Sequence, residues 1–277
     1  MRLGVFAKTF PGSDPGTVMT AAAAAGFSGV QYNMACSGLP PMPDRIAPAT
    51  ATEVGAAARS RGLRVFAVSG TWNMIHPDPV ERAAGQRRLE VIPARAALMR
   101  TDLVTLCTGT RDPHDQWHHH PGNALPDAWD DLLVEMTRAV ETAERHGILL
   151  GVEPEMANVV DSAPAARRLI DEIGSDRVRV VLDPANLFEV ATRDTQHRLV
   201  SQAVDLLADR IVLGHAKDRT PDGGFCAAGQ GVVDFDHFLG ALHRAGFDGP
   251  IVAHGQTAAD SPAVAAFLKL RLGALGL

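Results

Sequence analysis

The chain has 277 residues, 46% of them hydrophobic, and a formal net charge of −6, which suits one large α/β barrel or two modest domains. The acidic balance and the lack of a long basic run argue against a nucleic-acid partner. The N-terminal apolar stretch breaks at Lys8, too early for a signal peptide or a membrane span, and the three cysteines form no CxxC pair. We therefore expect a cytoplasmic protein that acts on a small molecule, away from membranes.

Short apolar segments alternate with helical patterns along the whole chain. Strands are predicted over residues 3–7, 29–32, 64–68, 102–107, 148–152, 178–182, 210–214 and 251–253. Helices follow them, and Pro93 should kink or break the helix over residues 80–100. Eight such units without a linker predict a single-domain (β/α)8 TIM barrel over residues 1–277. An open doubly wound sheet would need a GxGxxG motif after the first strand, and residues 8–12 lack one.

Four polar residues follow or end the last four predicted strands. Glu153, Asp183, His215 and His254 would converge on one mouth of a barrel, because catalytic residues of this fold come from the carboxyl ends of its strands. Two carboxylates and two imidazoles suit a divalent ion such as Mn²⁺, Mg²⁺, Co²⁺ or Zn²⁺. Taken singly, each has a simpler interpretation, since an Asp before proline often caps a turn and a strand-end His is often a hydrogen-bonded core residue.

These strand ends carry a family resemblance. The motifs Val-Glu-Pro-Glu at 152–155, Leu-Asp-Pro-Ala-Asn at 182–186, Gly-His-Ala-Lys-Asp at 214–218 and Gly-Phe-Asp-Gly-Pro-Ile-Val-Ala-His at 246–254 resemble the sugar phosphate isomerase/epimerase superfamily, the xylose-isomerase-like TIM barrels. The Gly-x-Gly-x-hydrophobic-Asp-Phe stretch at 229–235 is also similar. The family's metal ligands are Glu, Asp, His and a second Glu, and the resemblance places the first three on Glu153, Asp183 and His215.

The fourth position departs from the family, because His254 stands where a second Glu is usual. An imidazole can bind a divalent ion without adding negative charge, so the site should favour Zn²⁺, Mn²⁺ or Co²⁺ over Mg²⁺. The family's epimerases use two glutamates as bases on opposite faces of the substrate. Here Glu153 could serve as one base and His254 as the other. The substitution is equally compatible with loss of the metal or with a different reaction.

Further polar residues are candidate substrate contacts around the predicted mouth. Trp117 and His120 belong to a long polar loop that could cover the mouth, with an exposed loop as the alternative. Arg219 could hold an anion, although a surface salt-bridge cluster over residues 217–219 is as good an interpretation. Glu155 either supports Glu153 or pairs with a Lys or Arg. The remaining candidates are Lys8, Asn73, His76 and Asn186.

The resemblance implies a metal-dependent isomerase or epimerase that acts on a small sugar or related carbonyl compound through an enediolate. A dehydratase or lyase would use the same residues, and a non-catalytic sugar-binding barrel would explain the missing second Glu. An abasic-site endonuclease on the same barrel would need more zinc ligands and a basic face. Because relatives often form dimers or tetramers, a homo-oligomer is also compatible with the sequence.

Overall fold

A computed structural model describes residues 1–276. The strands are β1 (Arg2–Phe6), β2 (Gly29–Tyr32), β3 (Arg64–Ser69), β4 (Leu103–Leu106), β5 (Leu149–Val152), β6 (Val178–Leu182), β7 (Ile211–Arg219), β8 (Phe225–Ala227) and β9 (Pro250–Ala253). The α-helices are α1 (Pro15–Ala24), α2 (Pro48–Ser60), α3 (Pro79–Val91), α4 (Pro93–Met99), α5 (Pro126–His146), α6 (Ala163–Ile173), α7 (Arg193–Leu207), α8 (Phe235–Arg244) and α9 (Ser261–Ala274).

The strands close into a barrel. From β1 to β7 each strand pairs in parallel with the next, and β9 closes the circle by pairing with both β7 and β1. The predicted single-domain (β/α)8 TIM barrel is therefore confirmed. Parallel strands of this kind are covered on both faces, which explains why their sequences are continuous apolar runs.

Two hydrophobic layers hold the barrel together. Its interior contains a small cluster of strand side chains: Ala67, Leu103, Val181, Leu213 and Val252. A much larger cluster joins the outer faces of the strands to the surrounding helices. Polar side chains at the carboxyl ends of the strands therefore lie above a packed interior and not in an open channel.

Two elements differ from the expectation in an informative way. The predicted helix over residues 80–100 consists of α3 and α4, which are separated at Ile92, because Pro93 has no N–H to continue the hydrogen-bonding pattern. Strand β7 runs to Arg219 and not to residue 214, since Lys217–Arg219 pair with the antiparallel strand β8, which lay in a predicted loop. Over residues 1–276 none of the helices has the length and apolar character needed to cross a membrane.

Candidate metal and sugar site

The four strand-end residues meet at the carboxyl end of the barrel. Glu153 follows β5, Asp183 follows β6, His215 lies within β7 and His254 follows β9. Asp183 Oδ1 accepts a hydrogen bond from the backbone N–H of Ala185 at 2.9 Å, and so begins the short turn after β6. Its Oδ2 is buried and has no hydrogen-bond partner among the described residues. A buried carboxylate oxygen of this kind is costly unless it binds something.

His215 is held from both sides. Its Nδ1 lies 3.0 Å from Glu153 Oε1 and 4.0 Å from Asp183 Oδ2. Its Nε2 donates to Gln31 Oε1 at 2.8 Å, since an amide oxygen can only accept. Gln31 is itself fixed, because its Nε2 donates to Ser69 Oγ and Thr105 Oγ1 at 3.2 Å each. This network keeps the Nε2 proton in place and turns Nδ1 toward the carboxylates, as ligating histidines require.

His254, at the end of the strand next to β7, completes the group. Its ring stacks on that of His215 with centroids 5.4 Å apart and meets the edge of Phe6 at 5.3 Å. Burial, together with the positive charges of His215 and Lys217, lowers the pKa of His254 to about 3. The ring is therefore neutral near pH 7. Its Nδ1 is buried and has no hydrogen-bond partner within residues 1–276.

The donor set fits a divalent cation. Asp183, His215 and His254 each offer a ligand atom, and these atoms all lie within 4.8 Å of one another. Glu153 lies beside this group but its Oε1 accepts hydrogen bonds from His215 and from Asn186 Nδ2, the latter at 3.0 Å. Asp183 Oδ2 and His254 Nδ1, both buried without a hydrogen-bond partner among the described residues, are atoms that a bound metal ion would satisfy.

Charge pairing sets the protonation states of the buried acids. Burial raises the pKa of Glu153, but the positive charge and hydrogen bond of His215 outweigh it and bring the pKa down to about 2. For His215, burial opposes protonation and the Glu153 carboxylate outweighs burial, so the pKa is raised. The pKa of Asp183 is raised, chiefly by burial. Glu153 and His215 thus form an ion pair beside the less readily ionised Asp183.

A lysine occupies the same site. Lys217 Nζ donates to Asn186 Oδ1 at 2.9 Å and lies 3.5 Å from Asp183 Oδ2. It also lies 3.9 Å from Glu155 Oε2. This contact agrees with the interpretation of Glu155 as the partner of a Lys or Arg. Burial raises the pKa of Glu155 to about 7, despite the opposing charge of Lys217. Glu155 is therefore the acid of this site that titrates near neutral pH.

Comparison with known proteins then decides the family. A model described as the xylose isomerase-like TIM barrel matches residues 19–269. The chain belongs to this family. A search among curated proteins gives no match.

Solved structures of family-like barrels share the fold at low identity. A 3-keto-D-glucoside 4-epimerase from E. coli is 17% identical, with a TM-score of 0.76 over 98% of this chain and 99% of that one. A D-allulose 3-epimerase from Methylomonas sp., in complex with D-allulose, is 18% identical, with a TM-score of 0.75 over 98% and 97%. The IOLI protein with a bound zinc atom is 15% identical, with a TM-score of 0.74 over 98% and 97%.

In this xylose isomerase-like barrel, several residues that were predicted to contact the substrate form hydrogen bonds that hold loops in place. Asn73 Oδ1 accepts from Thr110 N at 2.9 Å, and its Nδ2 donates to Asp112 O at 3.1 Å. His76 Nε2 lies 3.2 Å from Pro113 O, and His120 Nδ1 accepts from Gly122 N at 3.0 Å. These bonds fix the loop after β4. Substrate binding by Asn73, His76 and His120 stays a prediction.

The other predicted contacts differ in their surroundings. Trp117 is 50% exposed on the loop after β4, Lys8 is exposed after β1, and Asn186 lies inside the site. Arg219 is buried, and donates to the carbonyls of Ala185 and Gly223. The alternative of a surface salt-bridge cluster over residues 217–219 is wrong, because all three side chains are buried. As substrate contacts, these four residues remain predictions.

Sequence reasoning missed Gln31, Ser69 and Thr105, and it left Lys217 outside the site. The available signal was an amide and hydroxyls in strands that are otherwise apolar, because a buried polar group needs a partner. Gln31 and His215 are 184 positions apart, so only the closed barrel shows that they meet.

Proposed function

We propose that this protein is a metal-dependent isomerase or epimerase that acts on a small sugar or a related polyhydroxy carbonyl compound. One observation carries the proposal: two carboxylates and two imidazoles converge at the barrel mouth, and Asp183 Oδ2 and His254 Nδ1 are both buried without a hydrogen-bond partner in the described chain. The fold neighbours include sugar epimerases, one of them in complex with D-allulose, which supports a carbohydrate ligand.

Asp183, His215 and His254 would hold the ion, with Glu153 as the fourth ligand beside them. Metal binding at His215 Nδ1 requires loss of the proton that it now shares with Glu153. Two imidazoles in the set favour Zn²⁺, Mn²⁺ or Co²⁺ over Mg²⁺. When bound, the ion would polarise the carbonyl of the substrate and the neighbouring hydroxyl.

The proton transfer is assigned to residues of the chain. Both hydrogen bonds described for Glu153 reach Oε1, so Oε2 is the oxygen that we assign as proton acceptor next to the carbonyl. His254 has a buried Nδ1 without a hydrogen-bond partner in the described chain, and we assign this residue as a ligand, as the second base, or as both. Asn186 holds Glu153 in position through Nδ2 and would contact the substrate nearby.

The test combines metal analysis with exchange of hydrogen. The purified chain should contain or take up about one Zn²⁺, Mn²⁺ or Co²⁺ ion, and incubation with ketohexoses in D₂O should label the epimerised carbon. Glu153→Gln should lower turnover by at least about a hundredfold, the usual scale for loss of a general base. The control Glu141→Gln, an exposed site on α5, should leave turnover unchanged.

The outcomes separate the competing functions. An unchanged product mass with deuterium incorporated supports an isomerase or epimerase, whereas loss of water or a carbon fragment would show a lyase. Full activity of the Glu153→Gln variant would contradict the role assigned to this residue. A protein that takes up none of the three ions and converts no sugar would contradict the proposed function and favour the alternative of a sugar-binding barrel without catalysis.

A further inference from the structure

The ammonium of Lys217 lies among the groups that would bind the metal. It is 3.5 Å from Asp183 Oδ2, a buried carboxylate oxygen that accepts no hydrogen bond from residues 1–276. At this distance its positive charge opposes the negative charge that this oxygen would present to an ion. The site thus contains the positive charge of Lys217 beside Asp183, in addition to the ion pair between His215 and Glu153.

The lysine is held in this position by contacts along its length. Asn186 Oδ1 accepts its hydrogen bond at 2.9 Å, and the ring of Phe225 on β8 lies 3.9 Å from Nζ. Behind the stem, Gly255 packs so closely that an added Cβ would lie 3.3 Å from Lys217 Cγ. Gly255 has φ of +80°, a conformation that other residues rarely adopt. The ammonium therefore stays near Asp183.

The charge count at the metal ligands then has a direct consequence. Glu153 and Asp183 supply two negative charges, while His215 without its Nδ1 proton and His254 supply none. Lys217 adds one positive charge beside these ligands, which it shares with Glu155 at 3.9 Å, and a fixed ammonium repels a dication in a buried site. Affinity for the ion should be lower than the donor set alone would give.

We infer that Lys217 weakens the equilibrium binding of divalent cations at this site. This inference rests on the proposed metal-dependent function. It concerns the strength of metal binding and not the identity of the reaction. It predicts that loss of the lysine charge strengthens metal binding, even though the substitution alters a buried side chain beside the site.

The experiment is calorimetric titration of the chelator-treated full chain with Zn²⁺ and with Mn²⁺. Lys217→Met and Lys217→Gln remove the charge and keep most of the side-chain volume, so each should bind either ion at least about tenfold more tightly than the wild type. Lys269→Met, an exposed site on α9, is the matched control and should bind within twofold of the wild type.

A further test variant, at Phe225, gives a result that does not depend on whether the Lys217 variants fold. Phe225 is 52% exposed, so Phe225→Leu should fold, and loss of its ring from beside the ammonium should loosen Lys217 and tighten metal binding about twofold or more. If the wild type binds an ion and the Lys217 variants bind it equally or more weakly, the inference is overturned and the proposed function survives. If no chain binds either ion, both fail.

Discussion

At the residue scale, the site depends on side chains that would not touch the substrate. Gln31 fixes His215 because its Oε1 accepts from Nε2, and Ser69 and Thr105 fix Gln31 in turn. The chain of bonds spans the barrel from β2, β3 and β4 to β7. A ligating imidazole held this way presents one nitrogen in one orientation, which lowers the entropic cost of binding the ion.

Replacement of Gln31 by Leu should therefore weaken metal binding about 10- to 100-fold, the usual effect of removing a partner of a ligating His. Ser69 and Thr105 would lose their amide donor, and folding stability should fall by about 1–3 kcal/mol. Titration with Zn²⁺ and denaturation in urea measure the two effects. Gln202→Leu, an exposed site on α7, is the control. Unchanged affinity in Gln31→Leu would show that Gln31 does not position His215.

At the element scale, β7 and the loop that follows it carry the largest departure from expectation. Asp218 on β7 is fully buried, and its carboxylate accepts from the backbone N–H groups of Gly229 and Gly231 through Oδ2 and of Val233 through Oδ1. A Cβ on Gly231 would lie 2.1 Å from Arg219 O, so only glycine allows this approach. One carboxylate thus folds the Gly-x-Gly stretch back over the end of β7.

Asp218→Asn should disrupt this loop selectively. The amide keeps one acceptor oxygen but places an NH₂ group against backbone donors, so we expect a loss of about 2–4 kcal/mol in unfolding free energy. Hydrogen exchange over residues 220–234 should be faster, with the barrel strands little changed. Asp222→Asn changes an exposed carboxylate in the same loop and serves as the control. Equal exchange in both variants would contradict the role given to Asp218.

The sequence predicted the barrel strands because each is a buried apolar run followed by a helix, and this information is local. Strand β8 escaped prediction since its three residues, Phe225–Ala227, form a strand only by pairing with the end of β7. Within the site, too, features that are local in sequence were predicted and those that depend on distant segments were not. Glu153, Asp183, His215 and His254 stood out at strand ends, whereas the place of Lys217 beside Asp183 depends on the direction of β7 beyond His215.

At the scale of the whole molecule, helices on the outside of the barrel are joined by a cluster around Asp234, which precedes α8. Its Oδ1 accepts from the N–H of His237 at 3.0 Å, and its Oδ2 accepts from Arg193 Nη2 and His197 Nε2 on α7 at 2.6 and 2.9 Å. The rings of His197 and His237 stack with centroids 4.0 Å apart. Asp234 therefore both caps α8 and ties it to α7.

This cluster should make stability depend on pH in the acid range. Burial opposes ionisation of Asp234, but the bonds from His237, His197 and Arg193 outweigh it and lower the pKa from 3.8 to about 2. A carboxyl with a lowered folded-state pKa stabilises the protein above the unfolded-state pKa. That stabilisation, about 2 kcal/mol, is lost as the pH falls from about 4 toward 2.

Asp234→Asn separates the charge from the cap, because asparagine still caps a helix but does not titrate there. Urea unfolding between pH 6 and pH 3 should show the wild type losing its advantage over this variant as the pH falls, whereas Asp234→Ala should be less stable than Asp234→Asn by about 1 kcal/mol at every pH. If the stability difference between wild type and Asp234→Asn is the same at pH 3 and pH 6, the charge of Asp234 does not link α7 to α8.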